Sequence, residues 1–493
     1  MTSDADLIRL ANSVLWPGFL GDTVPAWLHD ALADGLAGVV LFAQNLTGDT
    51  AALARDIHAA GPLALIGIDE EGGSVTRLET AGGSTLPGAL QLGILDDERA
   101  TEATGAEIGR RCALLDLDVV IGPVADVNTD PRNPVIGVRA FGSDTDLVSR
   151  HTAAEVRGIQ STGVAACVKH YPGHGDTHVD SHHGLPQLTI DDAEIDAVHL
   201  PPFTAAIDAG VLSVMTAHIS APQWGPQPAT LNSGVLGRLR EEGFDGVIIT
   251  DALDMAAIRE TVGIGGGAVQ ALAAGADLLC IGNPTNPGEA MHADQDQLDY
   301  RAARDAIVAA LRDGTLPPER VREAAGRVRA MAETVRARPA ASAAPAADYD
   351  AAALAERAIR VRGGAFAPFP DAPALVLDLR GRSSFAVDSG ASHVARALAA
   401  GGAIVAVDAA DRDAVADAAA RALADRAVLL VDRLDDAATQ RDAAAVIAGA
   451  ALGSVVVNVG VPVGEPGVAV VDAGAASLLA AEAARARLLA GSA

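Results

Sequence analysis

What this chain has little of narrows it first. Basic residues are outnumbered, 36 Lys and Arg against 64 Asp and Glu, for a net charge of −28. A surface that negative repels phosphates over most of its exterior, which argues against a nucleic-acid or anionic-membrane partner and favours a soluble protein. Cysteine is nearly missing: Cys112, Cys167 and Cys280 are the only three, scattered and without metal-ligand spacing. An odd number of scattered thiols speaks against a disulfide framework and for a reduced compartment. The N-terminus, MTSDADLIRLANSVLW, carries acids early and has no basic region ahead of a long apolar segment. With no signal peptide, lipidation motif or membrane span to read, the expected location is cytoplasmic. Aromatics are few, 3%, within an otherwise ordinary globular balance of 49% apolar and 20% charged residues.

What is present is an alternation. At 493 residues the chain has room for two or three domains and a large core. Short β-branched runs alternate with Ala-rich helical segments, and the runs at 38–43, 63–69, 118–126, 163–170, 212–218, 246–251 and 276–281 read as strands. They are apolar on both faces, as parallel strands covered by helices must be. Several end in a polar residue: Asp69, Asp126, His170, His218 and Asp251. Parallel barrels place their chemistry at the C-terminal ends of their strands. Seven such units favour a closed barrel over an open doubly wound sheet. Residues 337–349, ARPAASAAPAADY, have no periodicity and read as a linker. Beyond it, runs at 374–379, 403–407, 427–431, 454–459 and 468–471 predict a second α/β domain with a largely parallel sheet. The expected fold is thus α/β: a (β/α)8-type TIM barrel over 1–336, then the linker, then a smaller α/β sandwich domain over 350–493. Few strands of the second domain end in a catalytic residue type, which suits a structural or specificity role.

The stretch 169–186, KHYPGHGDTHVDSHHGLP, is the densest in chemistry, with five histidines and two aspartates in eighteen residues. The histidines at 170, 174, 178 and 182 recur every four residues, which on a helix would align metal ligands. Pro172, Gly173 and Gly175 deny that helix, so no metal site is expected and the histidines should lie on a loop leaving a strand. Asp180-Ser181-His182 offers a carboxylate two residues from an imidazole, the pairing that orients a base and raises its basicity. A merely solvated His182 is the plain alternative. Asp251 at a strand end can attack a sugar carbon, or simply cap a helix, a role for which Asp254 is better placed. Asp69 beside a Gly turn, with Arg77 eight residues on, suits hydrogen bonding to vicinal hydroxyls, or a salt-bridged surface turn. GIGGGA at 263–268 lacks the lysine and preceding strand of a phosphate loop and reads as a plain loop leading into a helix.

Taken in order, these segments resemble the bacterial β-N-acetylglucosaminidase (β-hexosaminidase) branch of the family 3 glycoside hydrolases. The likeness rests on KHYPGHGDTHVDSH at 169–182, with LFAQN at 41–45, GIDEEGGSVTRL at 67–78, PVADVNTDPRNPVIGVRAFG at 123–142, PATLN at 228–232 and GFDGVIITDALDM at 243–255. It covers most of 36–285; for the C-terminal domain it is architectural only. The resemblance implies a barrel and a retaining mechanism through a covalent glycosyl-enzyme, with no cofactor. It makes Asp251 the nucleophile and His182, assisted by Asp180, the general acid/base. It gives Asp69, Arg77, Arg139, Lys169 and His170 to the sugar ring in the −1 subsite. An imidazole with an unperturbed pKa of about 6.5 can give a proton in the first step and take one in the second near neutral pH. Departures from the family pattern at Glu70, Ser74, Ala140 and Ala252 leave the catalytic trio intact and bear on preference around the sugar and its aglycone.

The leading expectation is therefore an exo-β-N-acetylglucosaminidase acting on small carbohydrate substrates, peptidoglycan fragments or chitooligosaccharides by resemblance. A phosphorylase is the alternative at the same site, because a histidine acid/base does not repel an anionic acceptor as a carboxylate would. A β-glucosidase or dual-specificity enzyme is disfavoured, since most family 3 glucosidases lack this histidine loop. A non-catalytic sugar-binding protein would have lost Asp251, Asp180 or His182, and all three are present. Oligomeric state is not legible in the sequence.

Overall fold

The apolar runs fold as short parallel strands joined through helices. The structure, a computed structural model, describes residues 3–177, 185–286, 290–337, 344, 346–371, 373, 375–381, 391–423, 426–435, 439–464 and 467–492. The chain divides into two compact units. The first comprises residues 1–70, 101–127 and 144–347; the second comprises 71–100, 128–143 and 348–493.

The first unit carries strands β1 (Leu15–Pro17), β2 (Gly38–Leu41), β3 (Leu65–Ile68), β4 (Val119–Val120), β5 (Ala165–Tyr171), β6 (Ser213–Thr216), β7 (Val247–Ile249) and β8 (Leu279–Gly282). Strands β2 to β7 form one parallel sheet whose neighbours follow chain order, and β1 pairs with β8 in a second parallel sheet. A parallel bridge from Ile249 to Leu278 links β7 to the segment leading into β8. Chain-order neighbours with helical crossovers are what right-handed βα units produce. Side chains from all eight strands meet in one core cluster, Trp16, Val40, Leu65, Val119, Cys167, Met215, Ile249 and Cys280 among them. Trp16 is fully buried and its indole N–H donates to the Leu65 carbonyl at 2.8 Å. Gly67 on β3 is what makes room: a Cβ there would strike the Trp16 ring. At the opposite end of the strands, Asp118 and Asp116 hold both His58 and Arg336, tying the helix Pro318–Arg336 to the sheet.

The second unit holds β9 (Arg360–Arg362), β10 (Leu375–Asp378), β11 (Ala403–Ala406), β12 (Ala427–Val431), β13 (Val455–Asn458) and β14 (Val470–Asp472). Their order is β11-β10-β12-β13-β14-β9, parallel except for β9, which runs antiparallel to β14. Separate apolar clusters cover the two faces of this sheet. The segments 71–100 and 128–143 pack into this unit: Gln91 donates to the Ala473 carbonyl at 2.9 Å, and the Ala476 amide donates to Ser74 at 2.8 Å.

Three details differ from the sequence reading. Strand β1 was not anticipated, because three residues between a helix and Pro17-Gly18 show no run; β9 was not, because its two arginines break the apolar pattern. Residues 263–268 lie inside the helix Gly263–Ala274 rather than in a loop before it. The glycines serve packing there: a Cβ at Gly265 would meet the Ala302 carbonyl of a neighbouring helix. Among the described residues no helix is long and apolar enough to cross a membrane.

Candidate active site

Strand β5 brings the chemistry of the 169–186 stretch into the first unit. All seven of its residues are buried, which an apolar start at Ala165–Val168 makes favourable. Lys169 is only 2% exposed, and its ammonium donates to Asp69 Oδ1 at 2.8 Å. Asp69 follows β3, so this pair reaches across β4. A lysine so deep is tolerable only beside a carboxylate.

After Tyr171 the chain turns, as Pro172, Gly173 and Gly175 require, and no helix forms over 172–177. Asp126, at the end of the run that contains β4, is fully buried beneath this turn. Its Oδ2 accepts from His170 Nδ1 at 2.7 Å; its Oδ1 accepts from the amides of His174 at 2.7 Å and His170 at 3.3 Å. Burial pushes the Asp126 carboxyl up, but His170 beside it, and then His174, outweigh burial and hold it below the usual carboxylate range. His174 is buried too, its Nδ1 2.8 Å from the Thr177 hydroxyl. Burial, reinforced by His170, pushes His174 down to about 4 against the pull of Asp126 and Asp251.

Asp251 follows β7 and is half-buried. Its Oδ1 accepts from the Ala252 amide at 2.8 Å, and its own amide points to Thr216 Oγ1 at 3.4 Å. His218, buried at the end of the β6 run, pins the next peptide: its Nε2 lies 2.9 Å from the Ala252 carbonyl, and its Nδ1 lies 2.8 Å from the Thr230 hydroxyl. A carbonyl only accepts, so His218 presents Nε2–H to it. Asp254 does not cap the following helix Ala256–Arg259; Met255 occupies that position. Asp254 instead turns inward against Gly282, where φ is +110° and a Cβ would collide with its carboxyl.

Two buried thiols register how these groups converge. Burial pushes Cys167 up to about 12; Ser213 and Lys169 oppose this, while the charges of Asp69 and Asp251 add to it. Burial also raises Cys280, again with Asp251 and Asp69 contributing. Carboxylates just past β3 and β7 thus act on the same interior thiols and add to the burial that keeps both sulfurs neutral.

The structure therefore brings Asp69, Lys169, His170 and Asp251 to the strand ends of the first unit. Arg77 and Arg139 belong to the second unit. There Arg139 makes a buried bidentate pair with Glu71, at 2.8 and 2.9 Å, and donates to the Val135 carbonyl at 3.1 Å. Asp180 and His182 lie outside the described residues. Sequence reasoning marked Asp126 and His218 as polar strand ends but gave them no partner, since the partners are 44 and 34 residues away in the chain.

Residues 23–331 match the Glycosyl hydrolase family 3 N terminal domain. A β-hexosaminidase of Stenotrophomonas maltophilia (strain K279a) is 37% identical over 294 residues, 56% of this chain and 86% of that protein. Beta-hexosaminidase A of Pseudoalteromonas piscicida is 34% identical over 288 residues, 52% of this chain and 48% of that protein, so the chain spans about half the length of this relative. The solved structure of a glycoside hydrolase family 3 β-N-acetylglucosaminidase from Paenibacillus sp. str. FPU-7 is similar with a TM-score of 0.84 at 30% identity, covering 98% of this chain and 96% of that one.

Proposed function

The chain belongs to glycosyl hydrolase family 3, and on that premise we propose that it is a retaining exo-β-N-acetylglucosaminidase, cytoplasmic, acting on peptidoglycan fragments or chitooligosaccharides. The observation that carries this is Asp251: a carboxylate at a strand end, one oxygen held by the Ala252 amide, on a loop fixed by His218. Such a carboxylate is aimed and partly exposed, as a nucleophile must be. The likeness to β-hexosaminidases and to a β-N-acetylglucosaminidase supports the sugar assignment.

In the proposed first step an Asp251 oxygen attacks the anomeric carbon while the glycosidic oxygen leaves with the proton of His182. In the second, His182 takes a proton from water, whose oxygen displaces Asp251 and restores the carboxylate. Asp180 orients His182. Lys169 donates to, and Asp69 accepts from, sugar hydroxyls, with His170 beside them. Arg77 and Arg139 keep the sugar-binding role that the resemblance gives them, to be tested by substitution. We propose further that the strands of the first unit close into a (β/α)8 barrel over 1–336, with 337–349 as linker and 350–493 as the second domain. The core cluster shared by all eight strands supports closure.

The test is product identity from an N-acetyl-β-glucosaminide, with and without inorganic phosphate. Free N-acetylglucosamine at a phosphate-independent rate is expected. A phosphate-dependent rate yielding the sugar 1-phosphate would make the enzyme a phosphorylase. Turnover of an aryl glucoside alone would overturn the sugar assignment.

A further inference from the structure

We propose that Asp126 is a positioning residue for the reaction: its carboxylate fixes His170 in the tautomer protonated at Nδ1, so that Nε2 meets the sugar as a hydrogen-bond acceptor. The inference rests on the sugar-facing role proposed for His170.

The geometry leaves the carboxylate little freedom. It is fully buried and takes three hydrogen bonds, two of them from backbone amides at Oδ1. With Oδ1 committed to His170 N–H and His174 N–H, Oδ2 is directed at His170 Nδ1, 2.7 Å away. An ionised carboxylate can only accept, so the proton between them belongs to Nδ1. The neutral ring then has its lone pair on Nε2. His170 is 7% exposed, and among the described residues no hydrogen bond is recorded at Nε2. The ring is thus gripped at one nitrogen and offered at the other. Three donors converging on one carboxyl favour its ionised form, which leaves it only able to accept.

The same carboxylate sets the turn. By accepting both amides it fixes residues 170–174, a turn closed by Gly173 N–H donating to the His170 carbonyl at 2.7 Å. Gly173, at φ +122°, lies against His199, and a Cβ there would press on that ring. The position of the His170 ring is therefore decided from beneath, by a residue that need not touch substrate.

Asp126→Asn separates positioning from mere support. The amide oxygen can go on accepting the two backbone N–H groups, which its NH2 cannot do. The NH2 then faces His170 Nδ1, which must give up its proton, and the ring becomes a donor at Nε2. The fold is kept and the sense of the sugar contact is reversed. The expected loss in kcat/KM on an N-acetyl-β-glucosaminide is about 10- to 100-fold, by analogy with residues that orient a metal-bound histidine. On a His170→Gln background, Asp126→Asn should cost nothing further. A full multiplicative loss on that background would overturn the proposal and leave Asp126 a support for the turn.

A second measurement does not depend on the variant folding or on turnover. Nitrogen-labelled histidine spectra of the full wild-type chain, with the His170 signal identified by its loss in His170→Gln, report the tautomer directly. A neutral ring protonated at Nδ1 is expected; a proton on Nε2, whether alone or with Nδ1 also protonated, would overturn the proposal. Were the chain to show no N-acetylglucosaminidase activity, the functional reading would fail while the tautomer would still be decided by these spectra.

Discussion

In the first unit the acidic strand ends reach for partners on other strands: Asp69 for Lys169, Asp126 for His170 and His174. In the second unit they stay local or saturate. Asp378 pairs with Arg380 two residues on, at 2.6 and 2.8 Å. Asp472, 1% exposed, takes Arg362 from the adjacent β9 at 2.6 Å and Asn458 at 2.8 Å, and the rest of the Arg362 fork goes to the Val463 and Gly464 carbonyls. Both units bury carboxylates. The second closes each network with a multidentate arginine, which rigidifies a sheet edge. The first leaves Asp251 half-buried and, among the described residues, His170 bonded at one nitrogen. A site for a polar ligand needs the arrangement of the first unit, because hydrogen bonds already made cannot be offered to substrate.

Four perturbations test this contrast. Asp251→Ala should lower kcat by about 10,000-fold or more, equivalent to several kcal/mol of transition-state stabilisation, with the melting temperature nearly unchanged; kinetics beside calorimetry would show it, and an unchanged rate would remove the nucleophile. Lys169→Met should lower kcat/KM by about 100-fold and also destabilise the protein by about 3 kcal/mol, since Asp69 would be left without its buried cation. Asp472→Ala should cost a similar amount, about 3 kcal/mol, for the stranded Arg362 while kcat stays within about twofold of wild type. A fall in kcat there would blur the distinction between the two sheets.

The fourth perturbation is pH. His174 is held at about 4 in the folded chain, and an unfolded histidine titrates near 6.5. Between those values the unfolded chain binds more protons, so stability rises with pH across the window and is complete above it. Acidification from pH 7 to 4 should therefore cost as much as about 3 kcal/mol from this residue. His199, lowered by burial, acts in the same direction. Asp126, depressed instead below the carboxylate range, contributes fully above that range and is lost only at still lower pH. Melting curves from pH 7 to 4.5 for wild type and His174→Asn provide the check. The variant should be flatter, and an equal slope would mean that the buried imidazole is not what acid attacks.

Much of the fold was legible because parallel strands buried on both faces must be apolar throughout, and runs such as 163–168 and 246–250 contain little else. The loop after β5 was legible for a steric reason, proline and glycine at 172–175. Pairings across the sheet were not. Nothing local to Asp126 announces a histidine 44 residues later, and nothing local to Asp254 distinguishes a helix cap from a carboxyl turned toward Gly282. Short edge strands such as β9 escape notice because their ladder bonds, not their side chains, place them. Hydrophobic period reports burial, while partner choice is a property of three-dimensional register.

All three tryptophans, Trp16, Trp27 and Trp224, fall within the first unit, and Trp16 stands at the centre of its strands. Indole fluorescence is therefore a private signal of the unit that carries Asp251, while backbone circular dichroism sums both units. Followed together through a denaturant titration, the two signals would coincide if the units unfold as one and separate if they do not. The scarcity of aromatics gives the molecule a built-in optical label for its first unit.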